Sequence, residues 1–310
     1  MSDIVVTEFM DEAALEPLTK HYRVVFDPTL VDNPERLNNV VGNARAIIVR
    51  NRTQVRGPLL AQAHHLVCVG RLGVGLDNID LEACKARGIA VYPATGANDL
   101  SVAEYVLTTA LLLLRRAYFA NDAMVAGMWP RTALMGNELA GKTVGLVGFG
   151  SVARRTAALF GALSTRVVAS DPMIDPGDAV WGSVKPMKLE ALLATSDVIS
   201  LHVPLNEQTR GMIGADALAS MKPGAILINA ARGGIVDEPA IVHALKEGRL
   251  SGAALDVFES EPLDAVAGAR FADVPNLILT PHIAGVTIEG NVRVSHVTVE
   301  NVLRHLKEVS

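Results

Sequence analysis

Cysteine is almost missing from this chain. Only Cys68 and Cys84 occur in 310 residues, and neither stands in a CxxC pair or at metal-ligand spacing. A disulfide framework and a metal site are therefore not expected, and both residues read as buried free thiols of a cytoplasmic protein. Aromatic residues make up 4%, and of the two tryptophans Trp129, in Gly127-Met128-Trp129-Pro130, reads either as a packing anchor or as a subunit contact. Basic excess is lacking too. The net charge is -5 and the pI about 5.9, which argues against a nucleic-acid partner.

Long apolar runs are also absent. The longest uncharged one, residues 105–114, falls far short of the roughly 20 residues that span a bilayer. Arg115-Arg116 close it, so it reads as a buried helix, and no membrane association is expected. The start, Met1-Ser2-Asp3-Ile4-Val5-Val6, has neither the basic region nor the apolar core of a signal peptide, so secretion is not expected. No internal repeat, low-complexity tract or long linker is visible.

What the chain does contain is apolar material in a regular order. Half of the residues are hydrophobic, enough for two medium-sized cores. Short β-branched runs (4–6, 24–26, 46–49, 66–69, 89–91) alternate with helical patterns, as parallel strands with crossover helices require. A second series follows at 143–146, 166–169, 197–201, 225–228, 252–255 and 276–279. Between the two lies a helix expected to start near Ser101, with Ser101-Val102-Ala103-Glu104 as a capping box, and this segment is the natural hinge. Residues 287–306 are expected to form a closing helix that presents Val292, Val299, Leu303 and Leu306 on one face.

The second series opens with a nucleotide signature. Thr143 to Val147 is strand-like, and Gly148-Phe149-Gly150-Ser151-Val152-Ala153 then matches G-x-G-x-x-G/A. In that pattern the first glycine permits the turn, the second lets backbone approach a pyrophosphate, and the small last residue packs helix on strand. The helix N-terminus offers unpaired N–H groups to the diphosphate. The next strand ends at Ser170-Asp171-Pro172, about 20 residues on, where an acid accepts from ribose hydroxyls and repels a 2'-phosphate. NAD is thus expected rather than NADP.

Three side chains in the last third have settings of their own. Arg232 lies in Asn229-Ala230-Ala231-Arg232-Gly233-Gly234, Glu261 in Asp256-Val257-Phe258-Glu259-Ser260-Glu261-Pro262, and His282 in Thr280-Pro281-His282-Ile283-Ala284-Gly285. An arginine fork suits a carboxylate, a histidine exchanges protons near neutrality, and a carboxylate beside it favours the charged imidazole. Together they suit hydride transfer to a 2-keto acid.

With Gly73-Val74-Gly75-Leu76-Asp77-Asn78-Ile79-Asp80, Ser101 to Glu104, the glycine fingerprint and His202-Val203-Pro204-Leu205, the chain resembles the D-isomer-specific 2-hydroxyacid dehydrogenases over nearly its full length. The resemblance implies an α/β protein of two Rossmann-like or flavodoxin-like domains, each a parallel sheet flanked by helices. It implies a discontinuous substrate-binding domain, 1–99 and 283–310, around an NAD-binding Rossmann domain, 100–282. Arg232, Glu261 and His282 would be catalytic. Phe149, Gly150, Ser151, Val152, Asp171, Val203, Pro204, Thr209, Ala230, Ala231, Arg232, Asp256 and His282 would contact or approach NAD. A homodimer joined through the NAD domains is also implied, with Trp129 near the interface. One departure is Ser151, where the family often has a basic residue; Arg154 and Arg155 lie on the helix beyond, so diphosphate contacts would rely on backbone. Some relatives are NAD(H)-sensing scaffolds or corepressors, the alternative to an enzyme. A formate dehydrogenase would be expected to have glutamine in place of Glu261.

Substrate choice is expected to fall to Arg50, Asn51, Arg52, Gly73, Val74 and Gly75, with Arg232 on the shared carboxylate. The glycines let backbone approach an anion. The 50–52 turn reads either as a solvated strand end or as a pocket for a second anionic group at C3, as in sulfolactate or 3-phosphoglycerate. Residues 8–12, 50–52 and 70–72 most resemble the sulfolactate dehydrogenases of the family. A chain closing at Ser310 is not expected to carry the C-terminal regulatory domain of some phosphoglycerate enzymes.

Overall fold

The computed structural model describes residues 3–116 and 120–309 and divides into two compact units, Met1–Asn98 with Val286–Ser310, and Asp99–Gly285. Every strand pairing in both is parallel. Among the described residues, no helix is long and apolar enough to cross a membrane.

The first unit holds β1 (Ile4–Val6), β2 (Val24–Phe26), β3 (Ala46–Val49), β4 (Cys68–Arg71) and β5 (Ala90–Pro93) in the order β2-β1-β3-β4-β5. All residues of β1 and β3 are fully buried, which is why these strands are unbroken Val/Ile/Ala runs instead of alternating patterns. This is the flavodoxin-like order, whose strand sequence reverses between β1 and β3. The carboxyl ends of those two strands, Thr7-Glu8 and Arg50 onward, therefore lie at the place where open α/β sheets bind ligands. The helix Ile288–Glu308 covers one face of this sheet.

That helix begins where expected, with the Thr287 side chain accepting the Gly290 amide, but its buried face differs from the expected one. Val292 is 38% exposed, while Val294, Ser295, Thr298, Val299, Val302 and Leu306 are buried. A stripe read from apolar residues alone misses Ser295 and Thr298. Their hydroxyls satisfy Asp11 N and the helix's own Val294 carbonyl, so they enter the core without an unmet polar group.

The second unit holds β6 (Thr143–Val147), β7 (Arg166–Ser170), β8 (Lys185–Pro186), β9 (Val198–Leu201), β10 (Ala225–Asn229), β11 (Leu250–Leu255) and β12 (Leu277–Leu279). Their order, β12-β11-β10-β9-β6-β7-β8, is the doubly wound Rossmann arrangement extended by one strand. Its reversal falls between β6 and β9, so the glycine turn after β6 opens at the switch point. The short strand β8 had no signal in the sequence, having a proline among its two residues. The helix Asp99–Arg115 packs Val102, Val106, Ala110 and Leu113 with Ala153, Ala157 and Phe160 of the helix Ser151–Gly161.

The long helix starts at Asp99, so Ser101 is inside its first turn and buried, not a cap. Trp129 is 77% exposed, which removes the reading of it as a packing anchor within this chain. Val125, Met128 and Met135 near it in sequence are exposed as well.

Candidate active site

The turn after β6 has the geometry its glycines suggest. Gly148 takes φ +88, a conformation only glycine adopts freely, and lies against the His202 carbonyl, leaving no room for a Cβ. Gly150 precedes the helix Ser151–Gly161 without a side-chain cap, and space above it is open. The first-turn amides of Ser151 and Val152 are therefore available to an anion, as a dinucleotide diphosphate requires. Phe149 is buried and stacked on Trp181 at 4.8 Å, so only its backbone takes part in the turn. That backbone amide donates to Asp171 Oδ2 at 2.9 Å, tying the acid just past the end of β7 to the glycine loop. Arg154, set aside from its place on the helix, curls back so that its guanidinium donates to the Phe149 carbonyl at 3.2 Å. On the far side of the turn, Thr209 donates to Pro204 O at 2.6 Å and accepts from Asn206 N, so it shapes the loop carrying Val203 and Pro204.

The ends of β10, β11 and β12 bring the other candidates together. Asn229 closes β10 with its side chain accepting the Ala231 amide and donating to the Arg232 carbonyl, an Asx-type turn that presents Arg232. Gly233 then passes against the backbone of Phe258 so closely that a Cβ would overlap the Phe258 carbonyl. This close approach sets the Arg232 loop beside the loop carrying Glu261. Glu261 Oε2 meets His282 Nδ1 at 2.7 Å, and its Oε1 accepts the Phe258 amide at 3.0 Å. Burial would raise the Glu261 carboxyl, but the hydrogen bond and charge of His282, the Phe258 amide and the charge of Arg232 outweigh it and hold the group below its ordinary range. Glu261 is thus an anion, and its partner nitrogen is the donor.

Asp256, expected near the cofactor, has both carboxylate oxygens engaged inside the protein. Oδ1 accepts from Thr280 Oγ1 and Ile283 N, and Oδ2 from Ala284 N. Its place is beneath the loop of His282, which no local sequence pattern announced. His202 donates its backbone N–H to Val147 O at 2.7 Å, while its Nε2 is shut off from solvent and meets no hydrogen-bond partner among the described residues. Burial pushes that imidazole down to about 4, so it is neutral.

In the first unit, the turn at residues 50–53 is clamped by a buried carboxylate. Glu8 Oε1 accepts from Arg50 N and Thr53 N, and Oε2 from Arg52 N. Asn78 donates to the Arg50 and Thr53 carbonyls, and the Thr53 hydroxyl meets that of Thr7 at 2.8 Å. The two arginines then diverge. Arg52 is exposed and paired with Asp32. Arg50 lies 4.0 Å over the Phe9 ring and donates to Asn291 at 2.7 Å, while its Nε and Nη1 are buried with no partner among the described residues. Asn51 is exposed. The Gly73 amide is used internally, donating to the Arg71 carbonyl at 2.8 Å, and the Arg71 guanidinium lies across Gly73. Arg71, within the 70–72 segment of the sulfolactate dehydrogenase resemblance but not among the expected substrate-binding residues, closes β4.

A Rossmann unit with a nucleotide turn at its switch point, and an arginine, a carboxylate and a histidine at neighbouring strand ends, defines a nicotinamide-dependent oxidoreductase. The family model for the D-isomer specific 2-hydroxyacid dehydrogenase, NAD binding domain, matches residues 107–284, and the chain belongs to that family of NAD-dependent dehydrogenases. It is 53% identical over 307 residues to an (S)-sulfolactate dehydrogenase of Chromohalobacter salexigens, covering 99% of this chain and 99% of that one. It is 38% identical to a D-3-phosphoglycerate dehydrogenase of Archaeoglobus fulgidus over 98% of this chain, which spans 57% of that relative's length. The D-lactate dehydrogenase of Aquifex aeolicus, solved with NAD and lactic acid, superposes with a TM-score of 0.85 at 27% identity, covering 98% of this chain and 95% of that one. NAD is the cofactor, and the activity is hydride exchange between it and a 2-hydroxy or 2-keto acid.

Proposed function

We propose that the substrate carries a second anionic group at C3, with sulfolactate and its oxidation product 3-sulfopyruvate the first choice and 3-phosphoglycerate the second. The observation that carries this reading is Arg50. A guanidinium with two buried nitrogens unmet is unfavourable, by about 1–3 kcal/mol for each unsatisfied donor group. It stands at the switch point of the first unit, on a turn that Glu8 holds from below. An anionic oxygen there would complete its hydrogen bonding. Arg52, neutralised by Asp32, contributes less, and backbone contact to an anion falls to Val74 and Gly75 beyond the occupied Gly73 amide. The unit Met1–Asn98 with Val286–Ser310 is on this reading the substrate-binding domain.

The configuration agrees with the family. Replacing the methyl of lactate by a sulfonated methylene lifts C3 above the carboxyl group in priority, so the D-configured hydroxy acid carries the (S) label in sulfolactate. A D-specific site and an (S)-sulfolactate substrate are therefore compatible.

In the reaction, Arg232 pairs with the C1 carboxylate through its planar fork and polarises the adjacent carbonyl. Bound NADH supplies the hydride. His282, with Nδ1 donating to Glu261, presents Nε2 as the group that gives a proton to the carbonyl oxygen as it becomes an alkoxide, and takes it back in the oxidative direction. Asp171 and the glycine turn hold the dinucleotide. The buried, free state of Cys68 and Cys84 supports a reducing, cytoplasmic setting. The exposed apolar side chains of Val125, Met128, Trp129 and Met135 support a homodimer formed through the NAD domain.

A substrate panel followed by NADH absorbance tests the reading. Sulfolactate or 3-phosphoglycerate is expected to exceed D-lactate and glycolate in kcat/KM by at least about a hundredfold. Arg50→Ala is expected to raise KM for the dianionic acids and leave that for lactate nearly unchanged, with a smaller effect of Arg52→Ala. Equal activity on lactate, glycolate and sulfolactate would sink the second-anion site.

A further inference from the structure

We propose that Tyr105 is a positioning residue for proton transfer at His282, acting through Thr280 and Asp256. The inference rests on the reading of His282 as the proton carrier.

His282 has a backbone that needs support. It takes φ +55, in the left-handed region that residues bearing a Cβ rarely enter, so its loop must be held in shape by its partners. Asp256 does this at three consecutive residues. Its carbonyl accepts the His282 amide, its Oδ1 the Ile283 amide and its Oδ2 the Ala284 amide, each at 2.8 Å. The hold depends on the carboxylate remaining charged in a place where only 1% of the residue is exposed. Burial pushes its pKa up, and the opposing influences are its hydrogen bonds with Thr280, Ala284 and Ile283 and the charge of His282.

Thr280 is the one side-chain donor in that set, at 2.6 Å. A threonine hydroxyl has a single proton, and here it goes to a carboxylate that only accepts. The same oxygen lies 2.6 Å from the Tyr105 hydroxyl, so in this contact Thr280 accepts and Tyr105 donates. Burial pushes the Tyr105 phenol up to about 12, so it keeps the proton it donates throughout the working range of a dehydrogenase. The direction of every proton is thereby set: Tyr105 to Thr280, Thr280 to Asp256. Each donor polarises the next. The chain runs from the helix Asp99–Arg115, read from the sequence as a buried helix and a hinge, to the loop of His282.

Tyr105→Phe deletes one oxygen and leaves the ring to pack. It frees the Thr280 hydroxyl to turn away from Asp256, so the loop is expected to loosen and proton transfer to slow, because small misplacements of a reacting group are costly. At saturating NADH and keto acid, kcat is expected to fall about tenfold, while KM for the keto acid, the Kd for NADH and the melting temperature stay near those of the parent. Thr280→Val is expected to reproduce the loss and Thr280→Ser to restore the parent rate. The double variant Tyr105→Phe with Thr280→Val is expected to be no slower than Thr280→Val alone, since the two act in series. An unchanged kcat in Tyr105→Phe, or losses that multiply in the double variant, would overturn the proposal. Should Tyr105→Phe unfold, the contrast between Thr280→Val and Thr280→Ser decides it: equal rates reject it. His282→Gln separates this from the underlying reading. If that variant turns over normally, the role of His282 fails and the relay with it; if it is inactive while Tyr105→Phe is normal, only the relay fails.

Discussion

Nδ1 of His282 lies 2.7 Å from Oε2 of Glu261, and the second oxygen of the same carboxylate accepts the Phe258 amide at 3.0 Å. The carboxylate is thus anchored at one oxygen and orients an imidazole with the other. An unanchored glutamate has free side-chain rotors and would hold a ring far less firmly. On the proposed reading Nε2 is the nitrogen that meets the substrate.

Replacement of His282 by glutamine is expected to lower kcat by a factor on the order of 10² to 10⁴, the range of a general acid, with NADH affinity retained. Glu261→Ala should cost less, about 10 to 100 fold, because the imidazole remains but is no longer oriented or electrostatically supported. Stopped-flow NADH oxidation and fluorescence titration of NADH separate the two readouts. Loss of NADH binding in parallel with turnover would contradict the assignment.

Gly233→Ala places a methyl inside the Phe258 carbonyl. Neither partner is a flexible side chain, so the backbone must move, and destabilisation of about 1–3 kcal/mol is expected in urea unfolding. The shift would carry Arg232 away from Glu261, so KM for the keto acid should rise in the same variant.

Asp171 accepts the Phe149 amide and follows β7, the position from which an acid would read the ribose hydroxyls on the proposed reading. Asp171→Ser removes the charge that repels a 2'-phosphate. KM for NAD is expected to rise about tenfold and the preference over NADP to shrink by at least as much. A variant that still rejects NADP would place the discrimination elsewhere.

Acid stability is expected to carry the mark of His202. Its imidazole is held neutral down to about 4 in the fold, by burial, whereas it takes a proton near 6.5 in the unfolded chain. Between those values the unfolded state binds the extra proton, so stability falls as the pH is lowered from 6.5 towards 4. The full contribution of this one group is on the order of 3 kcal/mol at the acid end. His202→Leu should flatten that limb of a plot of urea midpoint against pH, and an unaltered limb would show that other groups dominate it.

Local patterns were strong where the fold repeats them. The runs at 4–6, 46–49 and 143–147 are strands because parallel sheets buried on both faces need nearly unbroken apolar, β-branched-rich sequences. The glycine fingerprint was legible because turn, helix start and acid occur within one βαβ unit. Less legible were features satisfied at a distance: Ser295 and Thr298 inside a helix stripe, the short strand β8, and the earlier start of the Asp99–Arg115 helix. Periodicity counts apolar residues, whereas Ser295 meets Asp11, Thr298 meets the Arg71 carbonyl, and β8 exists by pairing with β7.

Residue types and their order therefore determined two parallel α/β units, a dinucleotide turn and three candidate side chains for hydride chemistry. Tertiary structure alone decided which groups meet. It paired Glu261 with His282 across 21 positions, put Asp256 beneath the histidine loop, and gave Tyr105 a link through Thr280. It also separated Arg50, buried with unmet N–H groups, from Arg52, neutralised by Asp32, although only Asn51 stands between them. The reason is physical: a side chain's charge and hydrogen-bonding state depend on burial and on partners, and folding supplies both from distant parts of the chain.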